Sequence, residues 1–314
     1  MTKEIISVAL ACDDNYAHYC AETIVSILIN TKCENIHYNF YIIQKDLSEK
    51  NKTRIEKLRK TIGDCSIEFL DIRSTAIITG NPMFYRLCLA SLLPKKLNKV
   101  IYTDCDVTFL DDLRELWHED IDDYYSGNCV DWGYNKDRTI DHFLNNCNIS
   151  ESELFPEDHE MYFNSGLMIL NLAKIREDDI EKKSIDFAEK YPNLPFKDQD
   201  IINLVYHGKI KTISFKWSFL ISYYAAKKHG IRIDNEALLH DLKKSAKNPK
   251  MVHFLANKKP TTVYRSIFHF FSYRIVNRYK MLFWKYLALT DWKGENKYKI
   301  VHKFPLNFLN LLGK

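Results

Sequence analysis

The chain has 314 residues, of which 46% are hydrophobic, and its formal net charge is +4. A chain of this length and composition can bury one large core, or one core with an appendage. No run of about 18 uncharged apolar residues occurs, which argues against a transmembrane helix. No signal-peptide core precedes the first strand-like segment, so we expect a cytosolic protein.

Short apolar runs rich in β-branched and aromatic residues alternate with longer amphipathic stretches, a pattern typical of helices packed on a mostly parallel sheet. In chain order, strands are predicted at residues 5–11, 36–43, 67–72, 99–103, 125–130 and 165–170, with extended segments at 211–215 and 251–254. Helices are predicted at residues 22–29, 48–61 with Ser48 as N-cap, 84–93, 174–190 and 199–206. We therefore predict an α/β fold.

Asp104 and Asp106 directly follow the predicted strand 99–103, at the strand end where open α/β sheets bind ligands. Alternate residues of an extended chain point the same way, so both carboxylates can face one Mg²⁺ or Mn²⁺. The chain has nine glycines and neither GxGxxG nor GxxxxGK[ST], so a carboxylate-bound metal is the candidate partner for a diphosphate. A pair of this kind is also common on polar loops, and these residues alone leave that alternative open.

Further candidates lie at both ends of the predicted domain. His253 would shift the preference of the two carboxylates toward Mn²⁺, and the Lys259 ammonium could meet a phosphate leaving group. Asp13 and Asn15 can hydrogen-bond a base or ribose edge, and Tyr16 can stack on a base. A satisfied polar histidine and an ordinary Asx turn are the structural alternatives. The eight cysteines include no CxxC pair, which indicates reduced structural thiols rather than disulfides or a zinc site.

Together these motifs resemble the bacterial members of glycosyltransferase family 8, especially lipooligosaccharide and lipopolysaccharide α-galactosyltransferases and glucosyltransferases. The resemblance covers residues 5–260. Its matching stretches, in family order, are 11–16 (ACDDNY), 84–87 (FYRL), 100–107 (VIYTDCDV), 162–166 (YFNSG), 197–200 (KDQD) and His253 through Lys259 and Pro260. Ala256 in place of a family glycine and a poor match over residues 73–82 leave the acceptor unassigned.

The resemblance implies a single GT-A type domain with a mixed, mostly parallel sheet over residues 1–260. It implies that Mn²⁺, with Mg²⁺ as the alternative ion, is held by Asp104, Asp106 and His253. It also implies a UDP-sugar site with three groups of residues: uracil and ribose at Asp13, Asn15 and Tyr16; diphosphate at Lys259; and donor sugar near Arg86, Asp104, Asn164, Asp198 and Gln199. Asp131 would line the pocket beside donor and acceptor.

The activity implied is retaining transfer of galactose or glucose from a UDP-sugar to a glycan or glycolipid acceptor. Asp104, Asp198 and the amide oxygen of Gln199 would stabilise a cation-like sugar. The residue expected nearest the anomeric carbon is Gln199 rather than the carboxylate nucleophile of retaining hydrolases, and a covalent intermediate stays open. Two alternatives stay open: a metal-dependent nucleotidyltransferase or phosphohydrolase, and a catalytically silent carbohydrate-binding scaffold.

Residues 261–314 form a basic, aromatic tail. They include ten Lys or Arg, two acidic residues and thirteen aromatics, so the local balance of +8 leaves −4 for residues 1–260. Basic and interfacial aromatic residues favour anionic lipid surfaces, which predicts a peripheral anchor on the inner face of the cell membrane. RNA binding fits this composition less specifically, and no nucleic-acid partner is expected. The structural alternative is a helical segment that packs on the domain.

Overall fold

The computed structural model describes residues 3–75, 82–131, 149, 161–220, 235–255, 259–261 and 274–293. Ala256, positions 76–81 of the poorly matching segment, and most of the tail lie outside these ranges. The described strands are β1 (Glu4–Ala11), β2 (Ile36–Gln44), β3 (Cys65–Asp71), β4 (Lys99–Thr103), β5 (Val107–Phe109), β6 (Ser126–Val130), β7 (Phe163–Asn171), β8 (Ile210–Thr212), β9 (Phe219–Leu220) and β10 (Met251–His253).

Seven strands form the central sheet in the order β3-β2-β1-β4-β7-β6-β8. Strand β7 is antiparallel to both of its neighbours, β4 and β6, whereas the other neighbouring pairs of this sheet are parallel. The predicted mixed, mostly parallel sheet is therefore confirmed. The carboxyl end of β4 and the start of β7 lie side by side, with Thr103 opposite Leu167. This pairing brings the residues after β4 next to those at the beginning of β7.

The described helices are α1 (Ala17–Ile29), α2 (Glu49–Glu56), α3 (Leu58–Thr61), α4 (Leu89–Leu92), α5 (Arg114–Trp117), α6 (Leu172–Glu177), α7 (Ile180–Lys190), α8 (Asp198–Val205), α9 (Glu236–Ser245) and α10 (Arg274–Leu287). Ser48 caps α2 as predicted, since its hydroxyl accepts a hydrogen bond from Asn51 N at 3.3 Å.

The predicted helix 48–61 is divided into α2 and α3 at Lys57. Two further predicted helices also differ from the structure. The stretch 84–93 begins as a 3₁₀ helix over Pro82–Cys88 and continues as α4. The stretch 174–190 is divided between α6 and α7, because Asp179 adopts a left-handed backbone conformation with φ of 53°. Local apolar patterning indicated helical segments in both places, but it does not distinguish 3₁₀ from α hydrogen bonding.

The sheet is buried on both faces. Ile6, Val8 and Leu10 of β1 join a core that includes α1, and Ala9 joins a second core beneath α6, α7 and α8. Burial on both faces explains why β1 reads as an almost continuous apolar run.

A small second sheet, in the order β5-β10-β9, lies beside the carboxyl end of β4. Strand β10 is antiparallel to β5, with His253 opposite Val107. The amide of Phe254 also donates to the carbonyl oxygen of Asp106 at 3.0 Å. An extended segment at 251–254 was predicted, but its pairing partner β5 was not.

The described part of the tail packs on the domain. The Phe283 ring of α10 lies 5.3 Å from the Tyr19 ring of α1, and Asn30 Nδ2 donates to Tyr286 OH at 2.9 Å. Three aromatic residues counted as part of the membrane anchor are buried instead, which corrects that part of the prediction: Phe283, Trp284 and Trp292. Among the described residues, no helix combines the length and the apolar character needed to cross a membrane.

Candidate active site

Three potential metal ligands converge where the two sheets meet. His253 Nε2 lies 3.3 Å from Asp106 Oδ1 and 3.7 Å from Asp104 Oδ2. One ligand atom from each of these three residues lies within 4.8 Å of the other two. The backbone fixes this arrangement, because Asp104 N donates to Gly166 O at 2.8 Å and β10 pairs with β5.

The residues fit a divalent cation. Two carboxylates and one imidazole form a donor set that suits Mn²⁺ and related ions. Burial lowers the pKa of His253, but Asp106 and Asp104 raise it by more, so the net pKa lies above the ordinary value. Burial raises the pKa of Asp106, whereas His253 and Lys259 lower it by more, and the carboxyl stays ionised. The cluster therefore attracts positive charge, and Asp106 offers an ionised carboxylate.

Gly166 leaves the space that His253 occupies. A Cβ atom on Gly166 would lie 2.3 Å from His253 Cε1 and 2.8 Å from His253 Nδ1. The imidazole is buried and held by the β10 backbone, so it cannot move away without disturbing the cluster. A glycine is therefore required at this position by steric contact.

We expect Gly166→Ala to weaken Mn²⁺ binding by about 10- to 100-fold, because it displaces a ligand without removing it. Isothermal titration of Mn²⁺ measures this effect. Gly63→Ala is the matched control, since a Cβ there would lie no closer than 3.5 Å to Leu28. In a His253→Ala background, adding Gly166→Ala should have little further effect, and a full additive loss would contradict the steric explanation.

Lys259 and Tyr16 lie on one side of the cluster. Lys259 Nζ is 3.5 Å from Asp106 Oδ2, donates to Tyr16 OH and lies 4.5 Å from the centre of the Tyr16 ring. Asp13 Oδ1 accepts from Tyr16 N at 2.9 Å, which is the turn given as the structural alternative, and Asn15 is exposed. The roles of Asp13 and Asn15 toward a nucleotide remain predictions.

Arg86 holds two carboxylates on the other side of the cluster. Its guanidinium NH2 lies 2.7 Å from Asp104 Oδ1, and its Nε lies 3.0 Å from Asp198 Oδ2. Its NH1 donates to Ser165 O at 2.6 Å, and the guanidinium lies over the Tyr102 ring at 4.7 Å. Burial lowers the pKa of Arg86, but the two carboxylates raise it well above its ordinary value, so the side chain stays charged.

The remaining predicted residues form one buried hydrogen-bonded group. Asn164 Nδ2 donates to Gln199 Oε1 at 3.2 Å and to Asp131 Oδ2 at 3.3 Å. Gln199 Nε2 donates to the same Asp131 oxygen at 3.2 Å. Gln199 Oε1 also accepts from Ser165 N at 3.1 Å, so both ends of its amide are fixed.

A strained turn positions Asp198 and Gln199 at the start of α8. Lys197, the residue before α8, has a positive φ of 47°. Asp200 supports the turn, because its carboxylate accepts from Phe196 N at 2.8 Å and from Tyr162 OH at 2.6 Å. Strain of this kind persists only where the surroundings enforce it, and it is concentrated at functional sites.

The Asp198 carboxyl is unusual in its protonation. Burial raises its pKa to about 6, against an opposing effect from Arg86. Its second oxygen, Oδ1, is buried and has no hydrogen-bond partner among the described residues. Such an oxygen can accept a hydrogen bond from a bound sugar or lie beside developing positive charge.

A continuous series of contacts therefore joins the predicted site residues other than Asp13 and Asn15. It runs from Tyr16 and Lys259 through the three potential metal ligands to Arg86 and Asp198, and then to Gln199, Asn164 and Asp131. Sequence analysis did not assign site roles to three residues that belong to this arrangement: Tyr102, Ser165 and Gly166. All three lie inside the stretches that matched the family, which was the available signal.

Comparison with known proteins identifies the family of this chain. The family model described as Glycosyl transferase family 8 matches residues 7–260. The chain therefore belongs to glycosyltransferase family 8. Family membership favours a glycosyltransferase over the nucleotidyltransferase and phosphohydrolase alternatives.

Curated relatives differ in how much of their length this chain spans. A putative glycosyltransferase of Haemophilus influenzae is 30% identical over 69% of this chain and 64% of its own length. General stress protein A of Bacillus subtilis is 27% identical over 86% of this chain and 94% of its own length. A lipopolysaccharide 1,2-glucosyltransferase of Escherichia coli is 25% identical over 66% of this chain and 60% of its own length.

Solved structures share the fold. The galactosyltransferase LgtC, in complex with donor and acceptor sugar analogues, has a TM-score of 0.72 at 22% identity, covering 94% of this chain and 100% of that one. The bifunctional glycosyltransferase WbbM has a TM-score of 0.75 at 20% identity, covering 94% of this chain and 51% of that one. The predicted GT-A type fold is confirmed.

Proposed function

We propose that the protein is a Mn²⁺-dependent, retaining transferase that moves galactose or glucose from a UDP-sugar to a glycan acceptor of the cell envelope. The observation that carries the proposal is the convergence of Asp104, Asp106 and His253, with Lys259 beside them. Two relatives support the substrate class, because one is named a lipopolysaccharide glucosyltransferase and the other a galactosyltransferase.

On the nucleotide side, the metal ion, when bound, supplies electrostatic stabilisation to the diphosphate leaving group. Lys259 adds a positive charge on the same side and orients Tyr16 through the contact with its hydroxyl. Burial lowers the pKa of Lys259, but Asp106, Tyr16 and Tyr19 together raise it by more, so the ammonium is charged when negative charge develops on UDP. Tyr16 offers a half-buried ring on which uracil can stack.

On the sugar side, Asp198 and Gln199 stabilise positive charge as the bond from sugar to phosphate breaks. Arg86 holds Asp198, while Asn164, Ser165 N and Asp131 hold the Gln199 amide in a single orientation. A fixed amide oxygen and a buried carboxylate cost little reorganisation during the reaction. Since Gln199 is an amide, the acceptor hydroxyl enters on the face that the phosphate leaves, without a covalent glycosyl-enzyme intermediate.

A screen of UDP-sugars tests this function. We expect Mn²⁺-dependent release of UDP from UDP-galactose or UDP-glucose, faster with a suitable glycan acceptor, and an α-linked product by NMR. UDP release that is absent with every UDP-hexose would contradict the proposal and favour the scaffold alternative. UDP release that is unchanged in Asp106→Ala would also contradict the proposal.

We also propose that the basic, aromatic tail brings the enzyme to anionic membranes on the cytoplasmic side. Residues 294–314 include Lys297, Lys299, Lys303, Phe304 and Phe308, which combine positive charge with interfacial side chains. The packing of Phe283 and Trp284 on the domain restricts the proposed lipid contacts to other parts of the tail.

We expect removal of residues 294–314 to abolish flotation with anionic vesicles while leaving the packed helix α10 intact. A matched variant that replaces Lys297, Lys299 and Lys303 by Gln should weaken membrane affinity by roughly 100-fold, at about 1 kcal/mol for each basic residue. Neutral vesicles provide the control. Flotation that is equal for the full chain and the truncated chain would refute the anchor.

A further inference from the structure

Three thiols that the proposed transfer reaction does not use meet beside the metal-binding loop. Cys12 follows β1, Cys20 belongs to the first turn of α1, and Cys105 separates Asp104 from Asp106. All three are free thiols with 0 to 3% of their surface exposed. Their sulfur atoms lie within 4.8 Å of one another. The chain spacing predicted scattered structural thiols, and only the fold brings these three together.

The distances suit coordination. A cation bound by three sulfur atoms at about 2.3 Å in a trigonal arrangement would place those atoms about 4 Å apart. Sulfur atoms that already lie within 4.8 Å of one another can reach this spacing through small side-chain rotations. The backbone of the adjoining metal-binding loop does not need to move.

The donor set selects a particular class of ion. The cluster consists of sulfur alone, and soft thiolates favour Cu⁺ over hard cations such as Mg²⁺ and Mn²⁺. Structural zinc sites normally have four ligands, and among the described residues no fourth His, Cys, Asp or Glu joins this group. Three buried sulfurs therefore fit Cu⁺ better than Zn²⁺.

Proton balance is consistent with such binding. Cys12 Sγ donates to Asp13 O at 3.3 Å, and Cys105 Sγ donates to Ala11 O at 3.1 Å. Each thiol that binds the cation loses its S–H proton to solvent, and the cation partly offsets the buried thiolate charge. Three such losses and one monovalent cation leave a net charge of −2 in the cluster. The sulfur oxidation state does not change.

We propose that Cys12, Cys20 and Cys105 form a binding site for one soft monovalent cation of the Cu⁺ class, separate from the carboxylate and imidazole site. The two sites meet at residues 104–106, where Cys105 lies between the two aspartates of the other site. The thiol site offers soft sulfur ligands, whereas the other site offers oxygen and nitrogen ligands. The simpler alternative is that the thiols serve only as small apolar side chains in the core.

Anaerobic titration of the reduced full chain with Cu⁺, in competition with a chromophoric Cu⁺ chelator, tests the proposal. We expect one Cu⁺ per chain, with ultraviolet absorption from sulfur-to-copper charge transfer. Cys20→Ala should weaken binding by at least about 100-fold, because it removes a ligand outright. Cys129→Ala is the matched control, since this thiol is equally buried and donates to Ser214 O at 3.2 Å, outside the cluster.

Two further measurements separate the outcomes. Asp106→Ala should retain Cu⁺ binding, which distinguishes this site from the Mn²⁺ site whether or not the proposed transferase function holds. X-ray absorption of the copper-loaded parent should show a shell of sulfur alone, and it does not depend on whether Cys20→Ala folds. A nitrogen or oxygen shell, no uptake from the chelator, or unchanged affinity in a folded Cys20→Ala would overturn the proposal.

Discussion

Asp106→Ala is expected to lower the affinity for UDP in the presence of Mn²⁺ by at least about 100-fold, because loss of a direct ligand exceeds the usual effect of losing a supporting residue. Asp106 lies between His253 Nε2 at 3.3 Å and Lys259 Nζ at 3.5 Å. Its removal takes away one proposed ligand and the carboxylate that faces both His253 and Lys259. Calorimetric titration of UDP, with Mn²⁺ and with a chelator, measures the change.

Two comparisons make this result specific. Asp123→Ala removes an exposed carboxylate outside the site and should leave UDP affinity unchanged. Asp106→Asn keeps the shape of the side chain but loses its charge, so its effect should be large and should fall short of that of Asp106→Ala. Equal UDP affinity of the parent protein with and without Mn²⁺ would contradict the assignment.

Arg86→Ala is expected to destabilise the fold by about 3–5 kcal/mol, the usual effect of removing one partner from a buried ion pair. Arg86 is 7% exposed and contacts both Asp104 and Asp198. Without it, two carboxylates would remain near one another with no counter-charge on this side of the site. Urea unfolding measures the loss of stability, and transfer of the sugar should become undetectable.

The pH dependence of this variant follows from Asp198. Its pKa is already raised from 3.8 to about 6 by burial, and loss of Arg86 would raise it further. Between the unfolded and folded pKa values the folded state holds the proton more tightly, so stability falls as pH rises through that window. The destabilisation by Arg86→Ala should therefore be smaller at a pH of about 5 than at about 8.

Arg114→Ala is the matched control for Arg86→Ala. Arg114 pairs with Asp112 at 3.3 Å, but its side chain is 40% exposed and solvent screens the pair, so its removal should cost little stability. Arg86→Lys should recover part of the stability without recovering activity, because an ammonium cannot span two carboxylates as a planar guanidinium does. Equal losses in Arg86→Ala and Arg114→Ala would disprove the buried-pair account.

The elements that sequence predicted best are those with strong local signals. Strand β1 and the end of β4 could be predicted because mostly apolar runs end just before Asp13 and Asp104, where polar residues begin. The predicted placement of Asp104 and Asp106 at the end of β4 agrees with the structure, because the period-two geometry of a strand is local. The motif around Asp198 and Gln199 was found by resemblance, and local patterning alone would not have identified it.

The missing parts depended on contacts between distant segments. Strand β5 has three residues, Val107–Phe109. These are too few to show the alternation of apolar and polar residues that predicts a strand. Its pairing with β10 is what carries His253 to the aspartates, and sequence spacing contains no information about that register. Packing of the tail on the domain was given only as the alternative to a membrane anchor, since basic and aromatic composition is shared by surface helices and by helices that bury aromatic faces.

The antiparallel pairing of β10 with β5 has a consequence for how the domain matures. Asp104 and Asp106 lie far before His253 in the sequence. All three ligands can therefore bind the cation only after β10 has paired with β5. A cation that binds only the assembled form draws the folding equilibrium toward it. In the proposed enzyme, the ion that assists chemistry would also stabilise the docked position of β10. Chains in which β10 has not docked would bind the ion weakly, so ion binding would favour the fully folded form.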